Sequence, residues 1–295
     1  MIIVPVRVCG DCWVNPNEVI AALNTDQSIC LDFLSEGPSL HALGIVRALE
    51  KAGKSPESVL IINNPNWQEK TPYQNSHTGL SHFFGMSKQY WCQPRLVRDD
   101  AVKFGYFMGR RTFSRTRILY DLWQQGDALL SLMHTVTAAS HGTVLEQQSN
   151  WLDNEMITWF QDCPVVSLDG HSVRDQYVKN PQTNADILKF YDRFKIEIVA
   201  ESFTLGNTFF PTEKTVRPIM ACKPMLVYGA RYFLRHLREL GFKTYHTCWD
   251  ESYDNLEGVE RWLIMQRLMP HINVCDAVLA IAEYNRQHLS KISLS

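Results

Sequence analysis

Apolar residues recur along the chain in two alternating rhythms. IIVPVRV (2–8), SICLDFL (28–34) and SVLIINN (58–64) are short apolar runs rich in β-branched residues, which predicts buried strands. Between the second and third, EGPSLHALGIVRALEKAG (36–53) sets Leu40, Leu43, Val46 and Leu49 on one helical face. Pro38 lies near the start of that helix and Gly53 at its stop. Strand, helix and strand in that order predict a parallel unit. The aromatic stretch HTGLSHFFGMSKQYWCQPRL then breaks the rhythm, and RDD (98–100) reads as a solvated hinge.

The rhythm restarts with a predicted strand, KFGYFMG (103–109), a helix, TRILYDLWQQG, closed by Gly126, and a strand, ALLSLMH. WLDNEMITWF is predicted helical. KIEIVAES (195–202) is a strand ending in a carboxylate. The helix EKTVRPIMAC, the strand PMLVYG, the helix ARYFLRHLRELG and the strand FKTYHT follow. After the acidic WDESYDNLEG come a long helix, VERWLIMQRLMPHI, and a final amphipathic segment. The expectation is an α/β fold of two Rossmann-like domains facing a cleft. Residues 1–100 form the first domain and 101–270 the second, with a helical segment at 271–295 packing back on the first.

Composition narrows the function classes. A chain of 295 residues suits two domains, and 45% hydrophobic with 20% charged residues is ordinary for a globular protein. No apolar run reaches the roughly 20 residues of a transmembrane helix, and MIIVPVRVCGDCW reads as a first strand rather than a signal peptide. A reduced, cytoplasmic setting is the expectation. The net charge is −2, and neither part is basic: Lys and Arg number 8 against 10 Asp and Glu over residues 1–100, with 21 of each beyond. Any anion site must therefore be local. Cys9 and Cys12 form the one CxxC among eight cysteines, with no second pair to complete a zinc site. Buried or half-buried thiols are the plain reading.

Ligands of open parallel sheets bind beyond the carboxyl ends of the strands. Three charged clusters are predicted there. GRRTFSRTR (109–117) sets Arg110, Arg111, Arg115 and Arg117 at a strand-to-helix turn, either as phosphate ligands or as a solvated basic turn. Glu201 can accept from ribose hydroxyls or cap the turn after it. In the TEK triplet, Thr212 suits an N-cap and Glu213 the helix dipole, whereas Lys214 is unfavourable at a helix start unless an anion neutralises it. Pro218 is placed to bend or shorten that helix.

Other constellations are less directive. His77, His82, Phe83, Phe84, Tyr90 and Trp91 can stack on sugars or fill a core. Asp169 and His171 lack a partner to complete a triad. WDESYDNLE is neither an Asp-x-Asp metal site nor an EF-hand loop, and reads as a solvated helix start or a loop near a ligand.

The layout VAES…FFPTEKTVRPIMACKPMLVYG resembles the donor-binding signature of the α1,3-fucosyltransferases, a plan shared in general terms by exostosin-like transferases. FGYFMGRRTFSRTRIL is similar to the Gly-Arg turn opening the nucleotide-binding domain of two-domain, GT-B-type enzymes. The order SEGPSLHALGI, FGYFMGR, EKTVRPI, LRELGFKTY, WDESYD resembles that of uncharacterised glycosyltransferase-like proteins of large DNA viruses and phages. The likeness covers about residues 102–256 well and the first domain loosely. It departs at Phe209 and Phe210, where fucosyltransferases carry an acidic residue, so fucose is not carried over as the donor sugar.

The resemblance implies a glycosyltransferase using a UDP- or GDP-linked sugar, independent of metal, in the cytoplasm (the host's, if the viral likeness holds). The implied donor-binding residues are Arg110, Arg115, Glu201, Thr212, Glu213 and Lys214. Glu201 and Glu213 would hold ribose or sugar hydroxyls, and Lys214 with Arg110 or Arg115 the diphosphate. Glu36, after the second predicted strand, is the candidate catalytic base; its plain role is to favour a helix dipole. The acceptor is a hydroxyl of a glycan, a glycoprotein or a modified DNA base, the last disfavoured by the lack of basic excess. A non-catalytic nucleotide- or glycan-binding protein on the same fold is the alternative.

Overall fold

The computed structural model describes residues 1–6, 8–9, 12–13, 15–33, 40, 44–64, 70–76, 92–94, 96–108, 112–132, 155–156, 187–206 and 208–294. It is a mixed α/β structure in two compact units that part near residue 82, the chain around Phe209 grouping with the first.

The first unit opens with β1 (Ile2–Pro5) and a two-residue antiparallel pair, β2 (Val8–Cys9) and β3 (Cys12–Trp13), in which Cys9 lies opposite Cys12. Cys12 thus lies in a strand paired with that of Cys9 and does not open a helix. Next come α1 (Pro16–Leu23), β4 (Ile29–Asp32), α2 (Ile45–Lys51), β5 (Val59–Ile62) and β6 (Gln74–Asn75). Pro16 starts α1 where its missing N–H costs nothing. The sheet runs β1-β4-β5-β6 with every pairing parallel, as the strand-helix-strand rhythm predicts. Its core is built from Val19, Ile29, Leu31, Phe33, Val46, Leu49, Val59 and Ile61. The helix expected from residue 36 is described only from Ile45, after Gly44 in the left-handed region at φ 68°. Residues 34–39 and 41–43, with Glu36 and His41, lie outside the described residues. Asp32 ends β4 and accepts from Asn63 Nδ2 at 2.9 Å.

The second unit contains β7 (Val102–Met108), α3 (Phe113–Gln125), β8 (Ala128–Leu132), β9 (Phe194–Ala200), α4 (Glu213–Met220), β10 (Met225–Tyr228), α5 (Phe233–Glu239), α6 (Gly258–Leu268) and α7 (Asp276–Leu294). Its sheet is again parallel throughout, in the order β10-β9-β7-β8. From β7 the chain passes outward to β8, whereas from β9 it passes the other way to β10. The order therefore reverses between β7 and β9, the kind of point where open α/β sheets receive ligands beyond their carboxyl ends. Gly105, in mid-strand β7, is required by packing: a Cβ there would lie 2.6 Å from the Phe194 ring. Phe194 packs edge-on against Phe107 and Tyr191 at 5.4 and 5.0 Å between ring centroids.

One expectation changes here. FKTYHT forms no strand. Side chains take its backbone groups instead: Lys243 N–H and C=O pair with the Asn285 amide at 2.8 and 2.7 Å, and Tyr245 N–H donates to Glu251 at 2.7 Å. The 98–100 hinge is tied into the second unit, since Arg98 N–H donates to Asp192 C=O at 2.9 Å. The terminal helix α7 is anchored in the same unit. Arg286 donates to the carbonyls of Met220 (2.8 Å) and Cys92 (3.0 Å), and His288 bonds the Leu240 carbonyl at 2.8 Å. Among the described residues no helix is long and apolar enough to cross a membrane.

Candidate functional site

At the reversal of strand order, the end of β9 and the start of α4 converge on Glu201. This residue is fully buried. Its carboxylate accepts from Thr212 N–H at 3.0 Å, from the Thr212 hydroxyl at 2.6 Å and from the Thr215 hydroxyl. Its carbonyl accepts from Arg115 Nη2 at 2.6 Å. A buried carboxylate is tolerated because donors surround it. These bonds fasten the loop after β9 to the first turn of α4, so Glu201 works here as an internal cap.

Thr212 is the N-cap, as its residue type predicts. Its hydroxyl donates to Glu201 and accepts from Lys214 N–H at 3.3 Å and Lys214 Nζ at 3.2 Å. One donor and two acceptor positions are thereby all used. The Lys214 ammonium also lies 2.6 Å from Glu213 Oε1 and 3.5 Å from Ser202 Oγ. The anion that the lysine calls for is thus, in this structure, its own neighbour. The pair is partly open to solvent, with the Lys214 side chain 13% and the Glu213 side chain 28% exposed. Burial alone would raise the Glu213 pKa, but the Lys214 ammonium and then Arg217 outweigh it and hold the carboxyl down at about 2.

Beneath this mouth lies a buried cluster that the sequence pattern did not single out. Arg217 donates through Nε to the Tyr191 hydroxyl at 2.7 Å and through Nη2 to Glu197, to which Tyr191 also donates. Burial raises the pKa of both Glu197 and Tyr191, and Arg217 counters it in each case. A central-strand glutamate inside the apolar run KIEIVA was the available signal, since such a group must be paired. Pro218 sits inside α4 without ending it, and the helix runs on to Met220.

The arginine turn divides. Arg110 and Arg111 lie outside the described residues. Arg115 is 5% exposed and turned inward to Glu201, while Arg117 Nε pairs with Asp121 at 2.7 Å.

The acidic stretch is a scaffold and not a solvated start. Asp254 caps α5 by accepting from Leu234 and Arg235 N–H at 2.9 and 3.0 Å. It also accepts from the fully buried Arg261 at 3.1 Å. Arg261 in turn donates to the carbonyls of Val227 (2.9 Å), Ala230 (2.9 Å) and Leu256 (3.4 Å). Glu257 accepts from Gly206 N–H at 2.8 Å and faces Arg231 at 3.4 Å, which steadies the loop after β9.

Chemically, the mouth offers an ammonium, the Ser202 hydroxyl and the first turn of α4 to an incoming anion, with Glu213 as the group to be displaced. Among the described residues no three His, Cys, Asp or Glu side chains gather to hold a metal. In comparison with known proteins, no family model matches the chain and no curated protein matches it.

Proposed function

We propose that the chain is a glycosyltransferase that moves a sugar from a UDP- or GDP-linked donor to an acceptor hydroxyl without a metal ion. The observation that supports this reading is the position of the TEK turn. It follows β9 at the reversal of strand order, with the Lys214 ammonium, the Ser202 hydroxyl and the start of α4 together. In this reading Lys214 leaves Glu213 to bind the diphosphate, joined by Arg110, and the freed Glu213 accepts from a sugar hydroxyl. Thr212, Glu201 and Arg115 act by holding the turn. The positive side chains of Lys214 and Arg110 stabilise the negative charge of the leaving diphosphate, the work a metal does elsewhere. Glu36, in the first unit, is the proposed base toward a glycan or glycoprotein hydroxyl; a DNA acceptor is not favoured.

The test is a thermal-shift screen of UDP-, GDP-, CMP- and dTDP-sugars, followed by turnover of any hit in EDTA. A ligand that binds the folded state alone raises its melting temperature. A hit that turns over in EDTA upholds the reading. A hit that never turns over, with or without magnesium, favours a non-catalytic nucleotide-binding protein. Turnover that requires magnesium or manganese overturns metal independence, and no hit at all overturns the donor site.

A further inference from the structure

The opposite, amino edge of the second unit's sheet carries a row of lysines. The ladder that pairs Val102 with Phe194 and Phe104 with Ile196 sets Lys103 beside Lys195. Lys223 stands two residues before Met225, whose partner Glu197 is two residues after Lys195, so it continues the row. Like charges side by side on neighbouring strands repel. All three line one cavity of about 770 Å³, a size that suits a small ligand. Its walls include Leu96 and Leu279, which are 93% and 44% exposed, and Val97.

The acids of the cavity are already engaged. Asp127 accepts from Lys103 N–H at 2.9 Å, and Glu283 accepts from Cys222 Sγ at 3.2 Å and Gln287 Nε2 at 2.8 Å. The ammoniums are less fully used. Lys103 donates to the carbonyls of Met269 and Pro270, Lys223 to that of Phe194 at 2.8 Å, and exposed Lys195 has no side-chain hydrogen bond or ion pair among the described residues. Burial lowers the Lys103 pKa, Asp127 opposes this, and Lys195 pushes it down further. Among the lining side chains three ammoniums stand against two carboxylates, and Glu197 and Asp192 act on Lys223 from outside the lining, so Lys195 is the cation of the row left to an incoming anion.

We propose that this amino-edge cavity is a second binding site, separate from the TEK mouth, for an amphipathic monoanion: an apolar chain or ring carrying one carboxylate. The head sits by Lys195 and relieves its repulsion with Lys103, and the body covers Leu96, Val97 and Leu279. The site does not depend on the glycosyltransferase reading, because no residue of the TEK mouth lines it.

Calorimetric titration of the whole chain with octanoate, octan-1-ol and octylammonium tests the proposal. Octanoate binds, octanol binds about tenfold more weakly or worse, and octylammonium does not bind. That gap is the order expected for a charge-assisted contact. Lys195→Glu, at an exposed position, weakens octanoate about tenfold or more, and Leu279→Ser weakens octanoate and octanol alike, both variants melting as the parent does. Absence of octanoate binding at millimolar concentration, octanol binding as tightly as octanoate, or undiminished octanoate binding by Lys195→Glu each overturns it.

Discussion

The Lys214 ammonium lies 2.6 Å from the carboxylate of Glu213, so the two charges that open α4 neutralise each other across one peptide link. A strong, partly shielded pair of this kind is a competitor for any anion at the same place. Binding a diphosphate there is an exchange of partners, with a cost set by how firmly Glu213 holds on.

That exchange gives opposite signs for two neighbouring substitutions. Lys214→Ala weakens UDP or GDP binding about tenfold or more, the loss of one charge-assisted contact. Glu213→Gln removes the competitor and tightens the bare nucleoside diphosphate by roughly threefold or more, while weakening the nucleotide sugar relative to it. Calorimetry on the two variants reads both, and equal affinities in parent and variants would remove the phosphate role from this turn.

Glu213 also marks the acid side of the stability profile. Its folded pKa of about 2 lies below its ordinary 4.5. Its contribution to stability is therefore full above pH 4.5 and is lost as pH falls from there toward 2. Thermal melts of parent and Glu213→Gln should differ most at neutral pH and converge near pH 2. A constant difference from pH 7 to pH 2 contradicts the pairing.

Glu201 is expected to matter for folding before it matters for any ligand. Glu201→Ala leaves the Thr212 amide and the Thr212 and Thr215 hydroxyls without their acceptor in a buried place. A loss of about 3 kcal/mol or more follows, at 1–3 kcal/mol for each stranded group. The urea midpoint should fall with an unchanged slope. Glu201→Ala at parental stability would show that the cap is dispensable.

Lys223 sets a second signature on the alkaline side, where stability again rises with pH. Burial lowers its amine from the ordinary 10.5 to about 8, a shift that the nearby Glu197, Asp192 and Cys222 offset only in part. Between pH 8 and 10.5 the unfolded chain holds a proton there that the folded chain has lost, so stability rises with pH across that window. Relative to Lys223→Met, the parent should gain stability between pH 8 and pH 10. Melts of the two proteins that keep a fixed separation over that interval would contradict it.

The parallel units were legible because their signals are local. The run VLII, flanked by polar turns, can be read as a strand without knowing its neighbours, and Gly126 stops α3 in the left-handed region at φ 73° as a C-terminal glycine does. FKTYHT carries the same alternation but pairs with no strand among the described residues. Asn285, forty-two residues later, satisfies its backbone instead, and nothing in the local pattern encodes that partner. The site divides along the same line. Thr212 as a cap follows from residue type and position. The inward turn of Arg115, the ring of donors around Glu201 and the Arg217–Glu197–Tyr191 cluster depend on contacts between distant segments. The place of Lys214 at a helix start calls for a neutralising anion, and the supply of that anion by the adjacent Glu213 is a matter of rotamer rather than of spacing.

Arg261 ties the order of synthesis to the shape of the mouth. Every candidate donor residue has been made by the time residue 214 leaves the ribosome, yet the end of β10 and the first turn of α5 are fastened by a guanidinium that is translated much later. A nascent or truncated chain ending before residue 261 therefore holds the complete set of site residues without the clamp that fixes their frame. In the cell such a fragment would be handled as an unfinished protein, open to chaperones and proteases, however complete its binding residues are on paper.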